Sequence, residues 1–156
     1  MNVLWPALTP VLIFLVFWLL ALYLTDQGIY ALDPKDASGK KGRGTFEPHN
    51  KNYLEVAKLV IGLGSASIGV LAIFFFKNDN NIKGLQTHIK WPLIFFAATV
   101  VFGVVFVGTL VWRYEKYCHD SDSYTHRWYA FIKALGIAML FCLAVGYLSF
   151  TLILLL

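Results

Sequence analysis

The stretch WPLIFFAATVVFGVVFVGTLVW, Trp91–Trp112, decides the fold, because it joins two tryptophans without any Asp, Glu, Lys, Arg or His. A helix needs about 20 such residues to cross roughly 30 Å of hydrocarbon. Three other stretches have the same character and lie at 1–25, 59–76 and 134–156. Only helices and closed barrels satisfy their backbone hydrogen bonds in lipid, and these runs are continuous where barrel strands would alternate. We therefore predict an all-α integral membrane protein, a bundle of four transmembrane helices.

The composition agrees with this class. The chain has 156 residues, of which 58% are hydrophobic and 14% charged, whereas soluble domains carry about 25% charged residues. The first apolar run lacks the basic start and the cleavage site of a signal peptide, so we expect it to remain as the first span. A single membrane domain follows, with no room for a soluble one. The predicted spans are 4–24, 54–76, 91–112 and 129–155, and the predicted polar loops are 25–53, 77–90 and 113–128.

The loop order places polar segments on two opposite faces of the membrane. Face A holds the loops 25–53 and 113–128, and face B holds the loop 77–90 and both termini. Counted with the span ends beside them, ten of the thirteen Lys and Arg residues belong to face A. Cytoplasmic loops are enriched in Lys and Arg, so the count predicts that face A is cytoplasmic, in a bacterial inner membrane.

The second span carries a stripe of small residues at helical spacing. Its members are Gly62, Ser65, Ala66, Gly69 and Ala72. Small side chains let helices approach closely in lipid, where packing drives association. The stripe predicts that this span is either the central helix of the bundle, or the face of self-association or of a pore.

Four charged residues lie near the face A ends of the spans. Glu55, Lys58, Glu115 and Lys133 fall at similar depths, and we expect either an interfacial charge girdle or lysines that reach out to lipid headgroups. The centres of the spans carry no charge. This pattern argues against a proton relay or an ion-coupled transporter, which place ionisable groups at the membrane midplane.

Potential metal ligands are concentrated in the segment between the third and fourth spans. Cys118, His119 and His126 lie there, and His49 comes from the other face A loop. Zinc and copper accept such side chains, but no standard ligand spacing is present. The pattern favours a solvated connecting loop, with metal binding as the alternative. We predict no cofactor, and no nucleic-acid partner because no basic face is interleaved with aromatic residues.

In general build, with four spans, short loops and a second span rich in Gly and Ser, the chain resembles small bacterial inner-membrane proteins. Some of these are toxin-immunity proteins, and others are membrane subunits of anti-phage systems. The resemblance covers the architecture of the whole chain and rests on no residue motif, so it assigns no functional residue. It implies a non-enzymatic protein that associates with itself or with a partner in the bilayer. The alternatives are an oligomeric pore lined by the second span and a metal-binding or redox subunit.

Overall fold

In a computed structural model, the described part of the chain contains four helices and two short strands. The model describes residues 4–24, 29–31, 46–77, 83–120 and 123–155, with side chains at 8–24, 50–73, 89–115 and 127–155. The elements in chain order are α1 (Leu4–Leu24), β1 (Ile29–Ala31), α2 (Phe46–Lys77), α3 (Lys83–Asp120), β2 (Ser123–Thr125) and α4 (His126–Leu155).

The helices form a bundle built around the antiparallel pair α3 and α4. The helix α1 packs mainly on α4, and α2 packs mainly on α3, each with a smaller contact to the other member of the pair. Substantial packing between α1 and α2 is absent from the described residues. The prediction that the second span is central to the bundle is therefore wrong. Among the described residues, α3 and α4 contribute five and six buried apolar side chains, whereas α2 contributes three.

The largest apolar cluster joins α2, α3 and α4 at the middle of the bundle. It consists of the buried side chains Ala57, Val60, Phe106, Leu110, Leu135 and Met139. A second cluster, of Ala21, Ala130 and Ala134, holds α1 close to α4. These alanines are the small residues that bring two helices together at this contact, as expected where packing rather than hydrophobicity drives association.

A short antiparallel ribbon connects the two segments assigned to face A. The strand β1 pairs with β2 in the register Ile29↔Thr125, Tyr30↔Tyr124 and Ala31↔Ser123. One strand follows α1 and the other precedes α4. The pairing confirms that the segments after the first and before the fourth span lie on the same side of the bundle.

The helices are longer than the apolar runs. The helix α2 begins at Phe46 rather than at 54, α3 covers 83–120 rather than 91–112, and α4 begins at His126 rather than at 129. The polar segment predicted as the loop 113–128 is therefore mostly helix and strand. Hydropathy marks only the part of a helix that lipid can cover, while polar side chains continue the same backbone hydrogen bonds into water.

The lengths and compositions of the helices confirm the predicted class, an all-α bundle. Three helical segments in the described residues are long and apolar enough to cross a membrane, namely Asn50–Ile73, Ile89–Glu115 and Arg127–Leu155. The described part of α1 adds a shorter apolar helix, Leu8–Leu24. The bundle is thus compatible with a membrane protein, and insertion itself is inferred from composition.

Candidate interaction face

The helix α2 has two faces of different character. Its buried face consists of Ala57, Val60, Gly64 and Leu71, which are turned into the bundle. The predicted stripe lies on the other side of the helix: Gly62, Ser65, Ala66 and Gly69 are exposed, and Ala72 is half-buried. The stripe is therefore not the face through which α2 packs within its own chain. Its prediction as a contact between chains stays open.

The glycines differ in how much space surrounds them, and the difference follows their position inside or outside the bundle. A methyl group at Gly103 would meet Ile61 Cγ1 at 2.5 Å, and one at Gly146 would meet Phe96 Cε1 at 2.7 Å. A methyl group at Gly62 or Gly69 would meet nothing within 4 Å. The bundle therefore needs small residues at some glycines, whereas the two stripe glycines leave open space on the exterior.

The spacing within the stripe fits close approach of a second helix. Gly62 and Ala66 are four residues apart, and so are Ser65 and Gly69. Two overlapping small-x-x-x-small pairs on one helix face allow the backbones of two membrane helices to come together. On helix α3, Gly108 is also exposed, and a methyl group there would meet nothing within 4 Å.

Among the described residues, one hydroxyl of the stripe has no hydrogen-bond partner. Ser67, two residues away, donates a hydrogen bond to the Leu63 carbonyl at 2.8 Å and shares a second hydrogen bond of 2.9 Å with the Tyr147 hydroxyl. The exposed Ser65 hydroxyl makes no hydrogen bond to any described residue. A hydroxyl surrounded by hydrocarbon is stabilised by an acceptor, so a contact at the stripe would also provide Ser65 with a hydrogen-bond partner.

The predicted charge girdle is not joined by ion pairs. Glu55, Lys58, Glu115 and Lys133 are all exposed. No two of these four side chains approach within the 4.0 Å of an ion pair. Their charges point away from the bundle and not toward a common centre, because each occupies the outer side of its helix. The alternative of the sequence analysis, in which the lysines reach lipid headgroups, is the one that this placement favours.

A buried arginine at the face A end of α3 is a feature that sequence reasoning missed. Arg113 is 4% exposed, although the sequence predicted an interface residue at the start of a loop. Its guanidinium lies 5.7 Å from the ring centre of Trp128 on α4 and 5.9 Å from that of Trp112. The two indole rings are 5.4 Å apart. The three residues thus link α3 to α4 through cation–π contacts, which are strongest where water is excluded.

The pairing of two tryptophans around one arginine was not visible in the sequence. An Arg next to a Trp at a span end is typical of an interfacial belt. Trp128 directly precedes the predicted span 129–155 and would belong to the same belt. The only available indication was that residue 112 ends the predicted third span and residue 128 directly precedes the fourth on the same face, which brings them to the same depth.

Two further side chains inside the bundle have structural roles. Thr99 is fully buried and donates a hydrogen bond to the Phe95 carbonyl of its own helix at 2.9 Å. Cys142 is a free, fully buried cysteine that packs as a small apolar residue. Neither side chain is accessible to a ligand.

The candidate metal ligands have only their backbones in the described structure. His49 lies in α2, Cys118 and His119 lie in the last turn of α3, and His126 begins α4. Their side chains are outside the described residues, so the metal hypothesis stays a prediction. Among the side chains that are described, no group of three or more His, Cys, Asp or Glu could hold a metal ion.

Comparison with known proteins adds no further constraint on this face. No protein-family model, no curated protein and no solved structure matches the chain.

Proposed function

We propose that the protein is an integral membrane protein that acts by association in the bilayer, and that the stripe of α2 binds a second copy of the chain. The observation that carries the proposal is the open space at Gly62 and Gly69 on the exterior of the bundle. Inside the bundle, neighbouring side chains occupy the space beside the glycines. The stripe glycines are free for contact with another helix.

A second copy fits the stripe because membrane insertion fixes the geometry. Copies inserted in the same orientation are related by an axis along the membrane normal, so their α2 helices run parallel. A two-fold contact then places each residue opposite its own equivalent, Gly62 near Gly62 and Gly69 near Gly69, and the surface must be complementary to itself. A row of small residues satisfies this condition, since neither helix offers a bulky side chain that would hold the other away.

Association of this kind is consistent with a membrane protein that binds other chains rather than transforming a substrate. Immunity to a membrane-acting toxin, or membership of an anti-phage membrane complex, are the proposed biological settings, and they rest on the architectural resemblance alone. A pore would need more than two copies arranged with the stripe facing a lumen. The oligomeric state therefore separates the two proposals.

Cysteine crosslinking in native membranes tests the contact. In a background without Cys118 and Cys142, Ser65→Cys should form a disulfide-linked dimer under mild oxidation. The matched control is Val70→Cys, which is also exposed on α2 but lies off the stripe. Equal crosslinking at the two positions would refute the proposal.

A second variant separates association from folding. Gly69→Leu should abolish crosslinking through Ser65→Cys, because the larger side chain fills the space that the second helix occupies. It should not lower the free energy of unfolding, and the replacement of Gly within a helix should raise it by up to about 1 kcal/mol. Extraction of the membranes at alkaline pH, which releases peripheral proteins, tests insertion independently. Because one cysteine per chain can link only two chains, the pore is tested by native mass, and a mass above that of a dimer would favour it.

A further inference from the structure

Two lysines occupy positions inside the apolar segments that lipid would cover. Lys58 and Lys133 each lie four residues after the starts of the predicted spans 54–76 and 129–155. At 1.5 Å per residue this depth is about 6 Å along the helix. Both side chains are exposed on the outside of the bundle. A charged amine there cannot stay in hydrocarbon without a polar partner.

The direction of the two helices brings both amines toward the same membrane face. Side chains on an α-helix tilt toward the N-terminus of the helix. Helices α2 and α4 both begin at face A, as the ribbon between β1 and β2 shows for α4 and as the chain order requires for α2. The aliphatic stems of Lys58 and Lys133 therefore cover apolar surface while the amines extend toward the headgroups.

Among the described side chains, neither lysine has a carboxylate partner. Glu55 lies one turn from Lys58 on the same helix, yet the two are not within ion-pair distance, and Glu115 pairs with neither lysine. One turn before Lys133 the helix carries Tyr129. The described part of the bundle thus presents two exposed amines near face A that make no ion pair with its acidic side chains.

We infer that Lys58 and Lys133 bind the phosphates of anionic phospholipids at face A. The inference rests on the proposed membrane placement but not on the proposed dimer. A phosphate supplies the negative charge and the hydrogen-bond acceptors that both amines lack, and the acyl chains of the same lipid cover the apolar helix surfaces beside them. Attraction of a lysine to an anionic membrane surface corresponds to a roughly fivefold gain in binding for each residue.

The test measures the preference of the reconstituted protein for phosphatidylglycerol over phosphatidylcholine. Lipids with brominated acyl chains quench nearby tryptophans, and Trp112 and Trp128 both lie at face A. Titration of one lipid against the other gives the relative binding constant. The double variant Lys58→Gln, Lys133→Gln should lose roughly 25-fold in this preference, fivefold for each lysine.

A charge-preserving control and a change of phosphate source complete the design. The variant Lys58→Arg, Lys133→Arg should retain the preference, because arginine keeps the cation. Inorganic phosphate added to vesicles of phosphatidylcholine should not reproduce the effect. An unchanged preference in the double glutamine variant would overturn the inference, and so would full competition by free phosphate. Release of the protein by alkaline extraction would refute the proposed membrane insertion, and the lipid site would be refuted with it. Loss of the dimer alone leaves the expected result unchanged.

Discussion

Replacing Gly146 by alanine gives the sharpest test of the helix packing. A methyl group there would lie 2.7 Å from Phe96 Cε1, 2.9 Å from Cδ1 and 3.2 Å from Cζ. The Phe96 ring has no room to move away, since it is completely buried and packs edge-on against Tyr147 with the ring centres 5.1 Å apart. Relief of the overlap requires α3 and α4 to separate or the ring to leave its preferred rotamer.

The expected cost of this change follows from the geometry. Adding one carbon to a filled core costs about 1–3 kcal/mol. Against this stands the gain of up to about 1 kcal/mol from replacing Gly by Ala within a helix. Because three ring atoms lie closer than ordinary contact distance, we expect the steric term to prevail, with a net loss of about 1–2 kcal/mol. The matched control is Gly69→Ala, where the added methyl group meets nothing within 4 Å and only the helical gain remains.

Equilibrium unfolding in mixed micelles, by titration with a denaturing detergent and followed by far-ultraviolet circular dichroism, measures both variants. The double variant Gly146→Ala, Phe96→Leu completes a double-mutant cycle. A smaller side chain at position 96 should relieve the overlap with the added methyl group. The interaction energy should be favourable and about 0.5–3 kcal/mol, as for residues in contact. If Gly146→Ala is no less stable than Gly69→Ala, or if the cycle shows additive effects, the contact between Gly146 and Phe96 does not have the geometry described.

Two further predictions concern polar contacts between helices, each measured by the same unfolding titration. Arg113→Gln should destabilise the protein by about 1–3 kcal/mol, since cation–π contacts contribute up to about 2 kcal/mol when desolvated. The stability of Arg113→Lys should lie between that of Arg113→Gln and that of the parent, because lysine keeps the charge but loses the planar guanidinium. Equal stability of the parent and both variants would contradict the role of Trp128. Tyr147→Phe removes the hydrogen bond from Ser67 and should cost only about 0.6 kcal/mol, the average for such bonds in a membrane protein. A cycle with Ser67→Ala checks this value, and full additivity would show that the bond contributes nothing.

The number of helices could be predicted from the sequence because lipid imposes a simple rule. Each uncharged run must bury its backbone in one helix, so four runs give four helices. The ends of the helices could not be predicted in the same way. The segment 113–120 is polar enough to lie in water, and water tolerates both a loop and a continued helix. The local sequence then lets α3 extend to Asp120.

The partner of each helix was harder to predict than its existence, and α2 illustrates why. Small residues occur on both sides of this helix: Gly64 faces α3, with Val100 Cγ2 3.2 Å from the position of an added methyl group, while Gly62 and Gly69 face outward. A sequence shows the stripe but not which neighbour has side chains large enough to fill the space beside it. In the bundle, the bulky Val60 and Leu71 accompany Gly64 on the buried face. Side-chain size alone did not decide which side of α2 turned inward, because Leu59 and Leu63 are exposed while Ala57 and Gly64 are buried.

The two exterior features of the molecule lie at different depths. The stripe from Gly62 to Ala72 lies in the inner part of the span, where only packing and hydrogen bonds between helices can hold chains together. Lys58 lies one turn nearer to face A on the same side of α2, so the proposed two-fold contact would bring it toward its equivalent in the second copy, whereas Lys133 lies on another helix. Under both proposals, a dimer would present four lysines to lipid phosphates. Anionic lipid would then stabilise the dimer by mass action only if the dimer binds it more tightly than the monomer does. Measurement of dimerisation at several phosphatidylglycerol fractions distinguishes the cases: a constant dimer fraction means independent sites, and a rising one means that the two sites are coupled.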